Sequence, residues 1–190
     1  MRGIYIAVLK VGHILPNGRI YGPGVRFVLW LQGCDLACKG CWNQQFWSSV
    51  GGMEYDIEEL ITQILQANVE GITLLGGEPM QQANPVLKLI QRVKEHDLTV
   101  FLYTGYTEKE FDITMKQCAE LSDILIAGRY IESKRNTYLR WRGSSNQIIQ
   151  FPTGIYDDED LAEVREVEVH ISGGNAEVYG YPTEEEIKLS

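Results

Sequence analysis

Gly33-Cys34-Asp35-Leu36-Ala37-Cys38-Lys39-Gly40-Cys41-Trp42-Asn43 packs three cysteines into eight residues, spaced C-x3-C-x2-C. Three thiolates this close can hold three corners of an iron–sulfur cube and leave one iron without a protein ligand. An open metal position marks a site that does chemistry rather than one that only braces a fold. The run before it, residues 25–32 (VRFVLWLQ), reads as a strand. The cysteines then sit on the loop at that strand's C-terminal end, where β/α barrels place their active sites. Two other readings share the spacing. One is a zinc site completed by a distant ligand such as His13 or Cys118; the other is an electron-transfer cluster with Cys118 as fourth ligand.

Working outward, residues 4–9 read as a short strand and residues 12–24, rich in Gly and Pro, as a loop. In residues 56–68, Ile57, Leu60, Ile61, Ile64 and Leu65 fall on one helical face, and Asp56 with Glu59 has the form of a capping box. Residues 71–75 form a strand that ends in Gly76-Gly77-Glu78-Pro79, and Asn84-Pro85 opens the next helix with Val86, Leu89, Ile90 and Val93 inward. A strand at 98–103 follows, ending in Thr104-Gly105-Tyr106. Thr107 and Glu110 then cap a helix whose inner face is Phe111, Met115, Cys118 and Ala119. That placement makes Cys118 a small core residue rather than a ligand. Residues 123–127 and 147–151 are further strands, so the alternation predicts a parallel sheet of β-α-β units. The acidic run 157–160 reads as a solvated loop or helix start. In the tail, Val167, Val169 and Ile171 alternate with Glu168 and His170, predicting a hairpin with residues 176–181. His170 then falls on the solvent side, not on the apolar face.

The 190 residues suit one domain with a full core, at 44% hydrophobic and 23% charged. A net charge of −9 and a pI near 4.9 argue against nucleic-acid binding through a basic surface. No apolar run reaches membrane-spanning length, and the start Met1-Arg2-Gly3-Ile4 is unlike a signal peptide. Four cysteines with three clustered suit metal binding in a reducing cytoplasm, not a disulfide framework.

These elements together resemble the radical S-adenosylmethionine (SAM) enzymes, and in particular the small activases of glycyl-radical enzymes such as anaerobic ribonucleotide reductase. The cysteine loop matches their cluster loop, and Gly40 before the last cysteine agrees with the reductase activases. Gly22-Pro23-Gly24-Val25-Arg26 resembles their GPG-x-R. Gly76-Gly77-Glu78-Pro79 matches the element that receives the ammonium of the SAM methionine. Tyr103-Thr104-Gly105-Tyr106-Thr107 and Arg140-Trp141-Arg142-Gly143-Ser144-Ser145-Asn146-Gln147 match two further segments. Trp42 and Asn43 follow the third cysteine as an aromatic or His and an Asn do in the family.

The resemblance implies a partial, open β/α barrel with a C-terminal antiparallel hairpin, as a barrel domain over 1–154 and a packed extension over 155–190. It implies a [4Fe-4S] cluster on Cys34, Cys38 and Cys41, and a SAM site built from Trp42, Asn43, Gly76, Gly77, Glu78, Pro79, Thr104 and Arg129. Thr104 is expected near the ribose and Arg129 near the SAM carboxylate. Arg26, Arg140, Arg142, Ser144 and Asn146 are candidate substrate or SAM contacts. The implied reaction is cleavage of SAM to a 5′-deoxyadenosyl radical, which removes a hydrogen from a glycyl-radical enzyme, with an external electron donor. Alternatives are a radical SAM enzyme with another peptide or small-molecule substrate, and a non-catalytic iron–sulfur or zinc protein. The chain departs from the family where Ala127 stands in place of an Asp, and it runs about forty residues past the GSSNQ element.

Overall fold

A computed structural model describes residues 7–161, 167–173 and 175–180. The first residues of the expected 4–9 strand and the last residue of the expected 176–181 strand lie outside these ranges.

Its centre is the run β2 (Arg26–Leu31), β4 (Gly71–Gly76), β5 (Thr99–Thr104) and β6 (Ile124–Ala127), each parallel to the next. These strands are buried on both faces, so they read as continuous apolar runs. Among the described residues these four are the parallel strands; the expected strand at 147–151 is corrected to an antiparallel one. On one side, β1 (Val8–Gly18) pairs antiparallel with β2 and with β3 (Met53–Asp56). On the other, β7 (Ile148–Gln150) pairs antiparallel with β6. The expected 12–24 loop is largely strand. Pro16 is tolerated there because the β1–β2 register shifts between Leu15 and Gly18, leaving no ladder bond for it to break.

Alternation along the strands gives the sheet two distinct faces. Phe27, Leu29, Leu31, Ile72, Leu74, Val100, Leu102 and Leu125 join the core beneath α1 (Ile57–Gln66), α2 (Ala83–Lys94) and α3 (Ile113–Leu121). Two helix starts differ in detail from expectation. Asp56 caps α1 by accepting from Glu58 N rather than through a box with Glu59. The Thr107–Glu110 box closes a short 3-10 turn, and Asp112 caps α3 by accepting from Met115 N.

The opposite face carries three layers. Trp30, Leu75, Tyr103 and Ile126 lie toward the strand ends; Val28, Thr73, Phe101 and Ile124 lie in the middle; Arg26, Gly71 and Thr99 form the floor. At the floor the Arg26 side chain crosses Gly71, where a Cβ would collide with it. Its Nη2 donates to Ile72 O at 2.6 Å and to Thr99 O at 3.1 Å, and its Nη1 donates to Thr99 Oγ1. Burial lowers the guanidinium to about 10. Gly22, at φ +144°, leaves room for Phe101 and Arg26. The GPG-x-R element is thus a floor lock, and Arg26 is corrected from a candidate substrate contact: it is fully enclosed at the end of the sheet opposite the cysteines.

The hairpin of β8 (Val167–Ser172) and β9 (Asn175–Gly180) forms as expected but with its faces exchanged. Tyr179, paired with Glu168, is the side chain that packs inward, against Trp30 at 5.9 Å and Tyr21 at 6.3 Å between centroids. Its hydroxyl donates to Glu177 Oε2 at 2.8 Å and lies 3.0 Å from His13 Nε2. His170 is on this inner face too, edge-on to Tyr179, while Val169 and Ile171 are exposed. One large aromatic ring with a polar handle outweighs the small β-branched side chains on the other face.

Replacing Arg26 with Met should lower unfolding stability by roughly 2–4 kcal/mol, because the carbonyls of Ile72 and Thr99 lose their donors. Urea denaturation measures this. A variant of normal stability that had lost SAM affinity would return Arg26 to the cofactor site.

Candidate functional site

All four parallel strands end at one rim, and the loops leaving them enclose one cavity. Cys34, Cys38 and Cys41 come from the loop after β2, Gly76 to Pro79 from the end of β4 and the turn after it, Thr104 and Gly105 from the end of β5 and the residue after it, and Gly128 and Tyr130 from the loop after β6. Thr137, Leu139, Arg140, Trp141, Gly143 and Gln147 close it from the β6–β7 connection, and Gly180 closes it from the hairpin. The cavity volume is about 230 Å³.

The cysteine loop is a closed unit. Gly33 N donates to Phe46 O at 2.8 Å and Cys34 N to Trp47 O at 2.9 Å, which joins its two ends. Cys41 N donates to Cys38 O at 3.1 Å, making a tight turn, and Gly40 there holds φ +72° with the Glu132 carboxylate against it. Asn43 N donates to Cys41 Sγ at 3.4 Å. The Arg135 guanidinium sits 4.8 Å over the Trp42 ring at the rim. Burial raises the Cys34 and Cys38 thiols, and Cys41 raises Cys38 further. Held in a partly dry wall, the Cys34 and Cys38 thiols resist ionising, a conflict that cations relieve. This soft, all-sulfur donor set fits an iron–sulfur cluster.

His13 is engaged with Tyr179 and Trp30, and Cys118 is enclosed in α3 with its thiol raised to about 12, so neither joins the three cysteines. Among the described residues, no three His, Cys, Asp or Glu side chains close on a single metal-ion position.

Glu78 ties three loops together. Its backbone N donates to Gly33 O at 2.8 Å. Its carboxylate, fully buried, accepts from Met80 N at 2.9 Å, from Thr104 Oγ1 at 2.8 Å and from Gly105 N at 2.7 Å. Burial nevertheless pushes it up to about 7, with those hydrogen bonds opposing. Gly77 is held by packing: a Cβ there would collide with the Gly33 carbonyl, so the glycine keeps the β4 turn against the cysteine loop.

Several residues expected at the cofactor are committed elsewhere. The Thr104 hydroxyl donates to Glu78 and accepts from Tyr106 N at 3.1 Å, so it braces a turn rather than standing open to a ribose. Arg129 donates to both oxygens of Glu110 and, at 2.6 Å, to Gly105 O, and stacks on Tyr106; it is absent from the cavity wall. This pairing, ahead of the Thr107 contacts, draws Glu110 down to about 2. Ser144 Oγ accepts from Ile131 N at 3.3 Å, and Asn146 Nδ2 donates to Arg129 O at 2.8 Å, so both brace the loop. Arg142 lies off the cavity wall, whereas Arg140 lines it. Ala127 faces the helical core. Tyr21, Trp30, Tyr103, Tyr130 and Trp141 also line the cavity, though none is among the expected site residues; for Trp30 and Tyr103, an aromatic residue near the C-terminal end of a strand was the available signal.

Residues 20–150 match the family described as a 4Fe-4S single cluster domain. The anaerobic ribonucleoside-triphosphate reductase-activating protein of Vibrio cholerae is 39% identical over 143 residues, covering 70% of this chain and 92% of its own. Proteins of the same name from Haemophilus influenzae and Escherichia coli K12 are 36% and 30% identical, each over 70% of this chain and 92% and 93% of their own. Among solved structures, QueE from Escherichia coli aligns with a TM-score of 0.48 at 13% identity, over 65% of this chain and 73% of its own.

Glu78 sets a pH dependence. An exposed Glu ionises near 4.5, whereas Glu78 keeps its proton to about 7. Between these values the unfolded chain binds fewer protons than the folded one, so stability from this group falls as pH rises and is fully present only below about 4.5. In Glu78→Gln that dependence disappears, while the amide meets Gly105 N–H donor to donor. The stability difference, wild type minus variant, should fall by on the order of 3 kcal/mol from pH 4.5 to above 7. Urea unfolding of cluster-free protein across that range measures it. A constant difference would mean that the carboxylate is ionised throughout.

Proposed function

We propose a function from one premise: the chain belongs to the family of radical SAM activating proteins that carry a [4Fe-4S] cluster. In this reading it activates an anaerobic ribonucleoside-triphosphate reductase by removing a hydrogen atom from a glycine of that enzyme. Cys34, Cys38 and Cys41 hold the cluster, and SAM lies between the cysteine loop and the Gly76–Pro79 turn. The observation that carries the reading is the shared cavity in which Glu78 N, bonded to Gly33 O, fastens that turn to the thiol loop.

When bound, the cluster supplies one electron, received from an external donor, to break the SAM sulfonium. The chain's residues do the rest. Cys34, Cys38 and Cys41 would bind as thiolates, and the positive charge of the irons would offset the burial that raises Cys34 and Cys38. The Gly76–Gly77 turn brings backbone close to the methionine end, and Glu78 holds that turn to β5. Trp30 and Tyr103 keep water from the reacting groups. We read the sheet as an open partial barrel, in which the hairpin covers the β1–β2 side and leaves an entrance for a protein segment.

The direct test is anaerobic. Reconstituted protein, SAM, a reductant and the reductase should yield 5′-deoxyadenosine together with a glycine-centred radical signal on the reductase. Formation of 5′-deoxyadenosine with no radical on the reductase would point to another substrate. Cys34→Ala, Cys38→Ala and Cys41→Ala should each lose stable cluster and SAM cleavage. Cys118→Ala should keep both and lose on the order of 1 kcal/mol of stability; iron and sulfide analysis with urea unfolding separates these outcomes.

The tail yields a further expectation. Removing residues 162–190 uncovers Trp30 on the entrance side. If the hairpin recognises the partner, the shortened protein keeps its cluster and cleaves SAM but no longer modifies the reductase. Insolubility or loss of the cluster would make the hairpin structural cover alone.

A further inference from the structure

The connection between β6 and β7 concentrates unmet polar groups beside the cavity. Trp141 is 8% exposed, and its indole Nε1 has no hydrogen-bond partner. Arg140 Nε, Arg142 Nε and Asn146 Oδ1 share that condition. Buried donors without acceptors are rare because each has given up its hydration for nothing. Trp141 also holds φ +59°, left-handed backbone that a bulky side chain disfavours. Strain and an orphan donor therefore coincide at one residue, and such coincidences gather where a ligand is met. Trp141 and Arg140 both line the cavity, and the Arg140 guanidinium stacks 4.7 Å over the indole.

Depth separates the possible ligands. The cysteines and the Gly76–Pro79 turn lie beyond the strand ends. Trp141 instead packs edge-on against Phe101, at 5.3 Å between centroids, in the middle layer of the sheet face. Phe101 pairs with Ile124, the first residue of β6, one layer below Tyr103 and Ile126. A cofactor anchored at the thiol loop spans the rim. A chain segment that approaches it over the open sheet face passes Trp141 first.

We propose that Trp141 and Arg140 form a substrate-side subsite in which the indole Nε1–H and Arg140 Nε–H donate to main-chain carbonyls of the incoming peptide segment. This inference rests on the reading of the chain as an activating enzyme that acts on a protein. Carbonyl acceptors suit both donors, because each presents a single N–H and every residue of an extended segment offers an oxygen. The donors find partners only when the segment is seated, and the left-handed Trp141 backbone is retained because it aims the ring toward the cavity.

Trp141→Phe keeps the ring against Phe101 and removes only the N–H. Arg140→Lys keeps the charge and removes Nε–H. Both are tested as cluster-loaded protein, with the anaerobic reductase as substrate. In each variant the KM for the reductase should rise about tenfold, as for one lost hydrogen bond of that strength, with kcat within about twofold. Calorimetric affinity for the reductase should weaken by the same factor. The denaturation midpoint of Trp141→Phe should hold or rise, since the free protein no longer buries an orphan donor; a purely structural role would lower it. A fall in SAM affinity would assign the donors to the cofactor and overturn the proposal, as would an unchanged KM. Wild-type protein that cleaves SAM without acting on the reductase fails before any variant is compared. That result refutes the activating reading and removes this subsite with it, so the two failures are distinct.

Discussion

The Glu78 carboxylate, cut off from water, is the constraint on which the site depends. Two loops supply its three donors, and the backbone of the same residue holds a third loop through Gly33 O. Parallel pairing brings the strand ends to one rim, but pairing alone leaves each loop free above it. Glu78 converts separate loops into one wall. Its desolvation is unfavourable, and the surrounding hydrogen bonds only partly offset it. Such a group persists where position matters more than stability.

The rest of the sheet separates support from access. One face is closed by three helices over a continuous apolar core. The other ends in a polar floor at Arg26, where a guanidinium bridges β2, β4 and β5 with backbone and hydroxyl acceptors. Above the floor the face is covered in two places, by Tyr179 from the hairpin and by Trp141 from the β6–β7 connection. The cavity is lined by the cysteine loop and the Gly76–Pro79 turn, by Trp141 and, from the hairpin, by Gly180.

Much of this was legible because its causes are local. The cysteine spacing, the apolar runs of β2, β4, β5 and β6, and the one-sided helices each follow from short-range pattern. β1 was hidden because Gly12, Pro16 and Gly18 look like a loop; there Gly12 makes room for the Phe46 ring, and a register shift absorbs the proline. The hairpin faces were exchanged because residue pattern weighs Val169 and Ile171 without knowing that Trp30 awaits Tyr179. Resemblance places Thr104 and Arg129 at a cofactor; in the structure Thr104 lines the cavity with its hydroxyl bonded to Glu78, and Arg129 pairs with Glu110 and Gly105 off the cavity wall. A motif reports which residue types recur together, not which of them touch the ligand.

We propose that three cysteines leave one cluster iron open for SAM, in a wall fixed by Glu78. Electron paramagnetic resonance of the reduced, reconstituted protein, recorded before and after SAM is added, tests it most directly. The cluster signal should change shape when SAM binds. A spectrum indifferent to SAM, from protein with a full complement of iron and sulfide, would contradict it.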